Sequence, residues 1–250
     1  MIKRIIQHAN RLRNARRFGV NFRRRAGFVA PEYVRIGGRK VPLTVPHDSR
    51  EEKFTLVFVE NFLDDQYALR NIGGPLSTIV DIGANIGFFT VSARSYFPHA
   101  QIHAYEPNPR IVSYLKQNAA QVCAMAFPEA VGAREGRVTM IDDGYSGNAR
   151  TKDVGLLSEG ISQVPLETIV KRLGGSVDLM KMDCEGAEWQ ILQDRATMQH
   201  VRYLAMEFHL WAEYTLEQLK AQLTLIGFHI DRCEMAGDGF GLLTASLIKS

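Results

Sequence analysis

Short apolar runs of strand length alternate with stretches that read as helices over most of this chain. Strand-like runs fall at residues 78–81, 101–107, 123–131, 177–182, 201–208, 228–233 and 242–248. Helix-like stretches lie between them, at about 86–97, 107–118, 165–173, 187–194 and 215–226. Regular alternation of the two predicts an α/β domain built on a doubly wound, mostly parallel sheet. Pro128 interrupts the third run, which predicts a short strand there, and residues 138–141 add a minor one. The last two runs are joined through Gly237, Gly239 and Gly241, as in a hairpin.

Upstream, Phe54, Val57, Phe58, Asn61, Phe62 and Leu69 mark one face of a helix over 53–69, stopped by Gly73-Gly74-Pro75. Residues 31–46 read as short strands turning at Gly37-Gly38. The division expected is a basic extension over 1–50, an amphipathic helix and a short hairpin, ahead of a domain over 51–250. Residues 142–160 are rich in Gly, Ser, Asp and Asn without periodicity, and read as a mobile loop placed as a lid over the substrate side.

Charge changes the picture at the N-terminus. The formal net charge is +3 over 250 residues. Yet Lys3, Arg4, Arg11, Arg13, Arg16, Arg17, Arg23, Arg24, Arg25, Arg35, Arg39 and Lys40 precede residue 41, with Glu32 the one acid among them. Ile2, Ile5, Ile6, Ala9 and Leu12 recur there at helical spacing. A basic amphipathic helix suits an anionic membrane surface through residues 1–25, a phosphate-rich partner, or plain docking on the domain. It lacks the apolar centre of a secretory signal. Being Arg-rich and acid-poor, it also fits a mitochondrial transit peptide. No run approaches the roughly 18 apolar residues of a membrane span. Cys123, Cys184 and Cys233 show no CxxC spacing, which suits a reducing, cytoplasmic setting and no disulfide framework.

The chemistry concentrates at 78–90, TIVDIGANIGFFT. A strand ends at Asp81, glycines at 83 and 87 allow a tight turn, and a helix follows, whose free N–H groups are expected to face a nucleotide-like ligand. The spacing is GxxxG with Asn85 inside, not the GxGxxG of dinucleotide enzymes, which speaks against a dehydrogenase. The next strand ends in Glu106, beside the turn and placed to accept both hydroxyls of a ribose. Asp183, Glu207 and His209 also fall at strand ends. Carboxyl ends of strands in open α/β sheets are where ligands bind.

DIGANIGFFT at 81–90, AYEPNP at 104–109, AVG at 130–132, KMDCEGAEWQIL at 181–192 and, more loosely, EFH at 207–209 resemble the FkbM family of class I S-adenosylmethionine-dependent methyltransferases. The resemblance runs from about residue 53 to the C-terminus. It implies a Rossmann-like seven-stranded sheet closed by an antiparallel C-terminal hairpin, with S-adenosylmethionine as cofactor. Cofactor-binding positions implied are Asp81, Gly83, Asn85, Gly87, Glu106, Pro107, Val131 and Asp183. Asp81 would help fix the glycine turn and the cofactor's amino acid end, and Val131 would lie by the adenine.

The resemblance implies O-methylation of a small-molecule, sugar or glycolipid hydroxyl. Such an acceptor needs alignment and loss of one proton, and Asp183, Glu185 and His209 are the candidate bases. Glu188 lies three residues past Glu185 on the same helix start, where acids are stabilised by the helix dipole. Asp183, Glu185, Glu207 and His209 also offer ligands of the kind magnesium or manganese accepts, although no metal is predicted. A tethered scaffold with no activity and an RNA methyltransferase remain as alternatives. The second is disfavoured, because Asp183-Cys184-Glu185-Gly186 stands where base-amino enzymes carry Asn/Asp-Pro-Pro-aromatic, and no lysine lies between Asp183 and Glu207. Trp189 and Trp211 read as core or pocket wall.

Overall fold

In the computed structural model the described residues are 2–22, 28–46, 51–141, 150–153, 159–210 and 214–248. Helix α1 (Ile2–Arg17) lies against the domain. Arg11 donates two hydrogen bonds to Asp64, each 2.6 Å, and the Asn14 amide donates to the Leu63 carbonyl at 2.8 Å. Phe18 is fully buried in a cluster with Phe54, Phe58, Phe62 and Phe88, so α1 shares a core with the domain it precedes. β1 (Tyr33–Ile36) and β2 (Arg39–Pro42) form the expected hairpin around Gly37-Gly38.

Next, α2 (Glu51–Phe58) runs directly into a π-helix, Val59–Asp64. The single helix expected over 53–69 therefore ends early. Asp65 adopts a left-handed φ of 52°, and its carboxylate takes the amides of Leu69 and Arg70 at 2.8 and 3.2 Å, opening a short 3-10 turn at Leu69–Asn71. Local side-chain bonding to the backbone of this kind competes with helix continuation.

The main sheet begins with β3 (Thr78–Ile82), followed by α3 (Phe88–Tyr96), β4 (Gln101–Tyr105), α4 (Val112–Gln121) and β5 (Met125–Phe127). The chain then leaves this sheet for β6 (Ala130–Gly132), β7 (Gly136–Ile141), β8 (Arg150–Asp153) and β9 (Ile161–Pro165). It returns through α5 (Leu166–Arg172), β10 (Val177–Met182), α6 (Glu188–Leu192), α7 (Arg195–Met198), β11 (Val201–His209), α8 (Leu216–Ile226), β12 (Phe228–Gly237) and β13 (Phe240–Leu247). The order is β12-β13-β11-β10-β3-β4-β5. β13 runs antiparallel to both its neighbours, and the pairings among β11, β10, β3, β4 and β5 are parallel. Seven strands, Rossmann-like, with a C-terminal antiparallel hairpin, match the expectation.

Two departures stand out. The third strand-like run splits at Pro128. Phe127 ends the main sheet's edge strand, while Ala130–Gly132 joins a separate four-stranded sheet ordered β6-β9-β7-β8. Proline removes a ladder donor, so the chain changes sheets there. The loop expected over 142–160 contains β8, paired antiparallel with β7. Its sequence, RTKD, has no apolar alternation, and the strand is placed by its pairing with β7 at the edge of that sheet. Residues 142–149 and 154–158, which would form most of a lid, lie outside the described residues, as does Trp211.

All five residues of β3 and five of the six in β10 are buried, which places the exits of these two strands at the centre of the molecule.

Candidate active site

The turn leaving β3 admits only glycine at its tightest point. Gly83 has a φ of +69°, and a Cβ there would stand 1.7 Å from the Asp183 carbonyl oxygen, so β3 and β10 exit in direct backbone contact. Gly87, at φ +88°, begins α3 with Leu115 close by. The amides of Gly83 and Ala84 both donate to the Tyr105 carbonyl at 3.0 Å, and that of Asn85 donates to Glu106 at 2.8 Å. These three amides are spent inside the protein. They lock the turn to β4.

Glu106 is buried, with both oxygens engaged: one takes the Asn85 amide and the other the Asn108 amide, each at 2.8 Å. A carboxylate offers about four acceptor sites, so two remain. Burial pushes its pKa up to about 7, against the opposing pull of the two amides and of Lys181. Glu106 faces a recess of about 80 Å³ with Pro107, Ala130, Val131 and Cys184.

At the sheet's centre a lysine with no assigned role in the sequence reading proves pivotal. Lys181 is buried with its ammonium 3.2 Å from Asp81 and 3.6 Å from Asp183. It donates to the carbonyls of Ile82 at 3.2 Å and Gly83 at 2.6 Å. Asp81, wholly buried, also accepts from Thr90 at 2.7 Å. Asp81 therefore supports the glycine turn from beneath and lines neither cavity. Tyr67, from the segment after the π-helix, donates to Asp183 Oδ2 at 3.0 Å.

The turn after β10 is held by Glu188. Its carboxylate takes the amides of Cys184 and Gly186 at 3.0 and 2.7 Å, and lies 3.3 Å from His209 Nδ1. Glu185 sits in that turn at a φ of 52°, an uncommon conformation for a non-glycine residue. His209 Nε2 is 3.4 Å from Glu185 and 3.7 Å from Glu207. Burial alone would lower the pKa of His209. Its bond to Glu188 and the charges of Glu188, Glu185 and Asp183 outweigh that and raise it, so the ring is held protonated. Glu207 is raised by burial and by Asp183, with His209 opposing. Trp189 donates to the His209 carbonyl at 2.8 Å and stacks on Tyr214, a core role.

A larger cavity of about 640 Å³ adjoins the recess. Gly83, Asn85, Asp183 and Glu185 line both. Glu207 and His209 line the larger one, together with Tyr67 and with Glu60 and Asn61 of the π-helix. Glu60 and Tyr67 lie outside the sequence motifs, and Asn61 is expected only on the buried face of a helix. Lys181 did carry a signal: a lone charge within the otherwise apolar end of VDLMKM. Among the described residues, no group of three or more His, Cys, Asp or Glu side chains is placed to hold a metal.

The model of the methyltransferase FkbM domain matches residues 81–230, from the buried aspartate of β3 into β12. The chain belongs to the FkbM methyltransferase family. Its fold and activity are those of an S-adenosylmethionine-dependent methyltransferase. Among curated relatives, methyltransferase sdnD of Sordaria araneosa is 28% identical over 232 residues, covering 76% of this chain and 88% of that one. The 31-O-demethyl-FK506 methyltransferase FkbM of Streptomyces tacrolimicus is 26% identical, covering 66% and 78%. The 2-O-methyltransferase NoeI of Sinorhizobium fredii is 27% identical, covering 54% and 64%. In this FkbM-family chain the matched region holds Asp81, Glu106, Lys181, Asp183 and His209, whereas Glu60, Asn61 and Tyr67 precede it.

Proposed function

We propose that this enzyme O-methylates a hydroxyl of a small molecule, sugar or glycolipid, with Asp183 as the base. The observation that carries this reading is that Asp183 lies where the two cavities meet. One curated relative is named a 31-O-demethyl-FK506 methyltransferase and another a 2-O-methyltransferase, which supports the acceptor class.

The residues present fit the cofactor. Glu106 keeps two acceptor sites for a ribose diol, and the buried Asn85 Oδ1, without a hydrogen-bond partner, lies at the junction. Pro107, Ala130 and Val131 supply apolar walls for a base. Thr151 of β8 also forms part of this lining. When bound, S-adenosylmethionine supplies an electrophilic methyl group on a sulfonium.

Asp183 receives the acceptor's hydroxyl proton on Oδ1, since Tyr67 and Lys181 both address Oδ2. Tyr67 and Lys181 orient that carboxylate. His209 is held protonated by its carboxylate neighbours, so it orders Glu185, Glu188 and Glu207 rather than accepting the proton. Glu60, Asp183, Glu185 and Glu207 line the larger cavity. Acids outnumber the cations Lys181 and His209 in this lining, and the preference is taken to be for a neutral hydroxyl-rich acceptor over one bearing phosphate near the reacting oxygen.

Transfer of a labelled methyl group to a panel of neutral polyols, sugars and their phosphorylated counterparts tests this. Methylation of neutral hydroxyl acceptors, lost in Asp183→Asn by at least about a hundredfold in kcat, is expected. Methyl transfer confined to amines or nucleic acid would overturn the reading.

A further inference from the structure

Helix α1 is turned inside out relative to an ordinary surface helix. At 100° per residue, Arg11, Asn14 and Ala15 share one half of the helix circumference and contact the domain, with Phe18 buried just past the helix end; Arg17 in the last turn reaches Ser95 and Tyr96, and Asn10 accepts from Arg70. Ile5, Ile6, Ala9 and Leu12 fall on the opposite half. Ile5 is 63% exposed, Ile6 55% and Leu12 37%. A surface helix normally buries its apolar stripe and leaves its polar face in water. Here a bidentate Arg11–Asp64 pair, Asn14 and Arg17 dock the helix together with the small buried Ala15, and the isoleucines face out.

The exposed half carries a second feature. Arg13 and Arg16 lie on it, both exposed, interleaved with Ile6, Ala9 and Leu12. No acidic residue occurs in the helix. An outward apolar stripe bordered by cations is complementary to an anionic bilayer: isoleucine and leucine enter the acyl boundary and arginine pairs with headgroup phosphate. A second protein copy would meet the same cations with cations, since a two-fold contact brings like patches together.

We infer that the outward face of α1 is a docking surface for anionic lipid membranes. The helix rests on the π-helix through Asp64 and Leu63, and that π-helix also carries Glu60 and Asn61 in the wall of the larger cavity. Attachment through α1 therefore places that cavity's wall one helix away from the lipid.

Co-sedimentation of the full chain with vesicles tests the inference, using phosphatidylglycerol mixed with phosphatidylcholine and, separately, phosphatidylcholine alone. Binding is expected to be at least about tenfold stronger to the anionic vesicles and to weaken at high salt. The variant I5S/I6S/L12S is expected to lose at least about tenfold of that binding while keeping the wild-type melting temperature and cofactor binding, because these side chains touch solvent. R13E/R16E should abolish the preference for anionic lipid. No sedimentation with anionic vesicles, or equal sedimentation of wild type and the triple variant, overturns the inference. So does a wild-type dimer in sedimentation equilibrium that the triple variant converts to monomer without any change in lipid binding. Methyl transfer is not read in any arm, so failure of the acceptor assignment would leave this result standing.

Discussion

Lys181 on β10 and Asp81 on β3 are register partners in the central sheet, and their charged groups meet 3.2 Å apart in a site nearly closed to water. The pair anchors the floor beneath the glycine turn, because the same ammonium holds the carbonyls of Ile82 and Gly83. Removing Lys181 strands the buried Asp81 charge, and removing Asp81 leaves Lys181 only the more distant Asp183, so each loss costs up to roughly 3–5 kcal/mol. Lys181→Met and Asp81→Asn are each expected to lower unfolding free energy by about that amount in urea denaturation. The double variant should fall well short of the sum. Additive losses would show that the two groups are energetically independent.

Tyr67 reaches Asp183 from a segment 116 residues away in the chain. Its hydroxyl positions the carboxylate without lying in the motif that carries it. Tyr67→Phe removes one hydrogen bond to a charged group, worth about 1.5–3 kcal/mol. The expected outcome is a kcat lowered about tenfold or more, with the dissociation constant of S-adenosylhomocysteine little changed. A loss confined to cofactor affinity would contradict the positioning role.

The cluster of Glu60, Glu207 and His209 makes a prediction about pH. Burial raises Glu60 to about 7, and Glu207 is raised likewise. A raised carboxyl holds its proton longer in the folded state than in the unfolded chain. Its contribution is fully present at low pH and is lost as pH rises through the folded value. Raised His209 has the same sign, since its partners favour the protonated ring. The melting temperature of the free protein is therefore expected to fall between about pH 5 and 9, and Glu207→Gln should flatten part of that fall. A melting temperature rising over the same range would contradict the charge arrangement described for the cavity.

Much of this was legible in the sequence. The alternation of runs specified the main sheet, and the strand-end acids named one edge of it. Glycine at 83 was readable as a tight turn, although the reason, contact with the Asp183 carbonyl, needs the partner strand. What escaped was whatever depends on pairing across the chain. Arg150–Asp153 forms a strand because β7 lies beside it. The apolar stripe of α1 was readable, but which half would dock was not, since Arg11 finds Asp64 only in three dimensions. Amides of the glycine turn looked free until Tyr105 and Glu106 came alongside. Nor did the sequence show that Glu188 and Glu185 close around His209.

The central claim, that Glu106 receives the cofactor's ribose, is tested most directly by calorimetric titration with methylthioadenosine, a neutral nucleoside that carries the ribose without an amino acid. Burial pushes the Glu106 carboxyl up to about 7, against the Asn108 and Asn85 amides and Lys181, and its ionised form is the one that accepts two hydroxyls. Affinity is expected to rise by up to about tenfold from roughly pH 6 to 8, and Glu106→Gln should bind more weakly with no such rise. Undiminished affinity in Glu106→Gln, or no binding of methylthioadenosine by the wild type at any pH, would contradict the account.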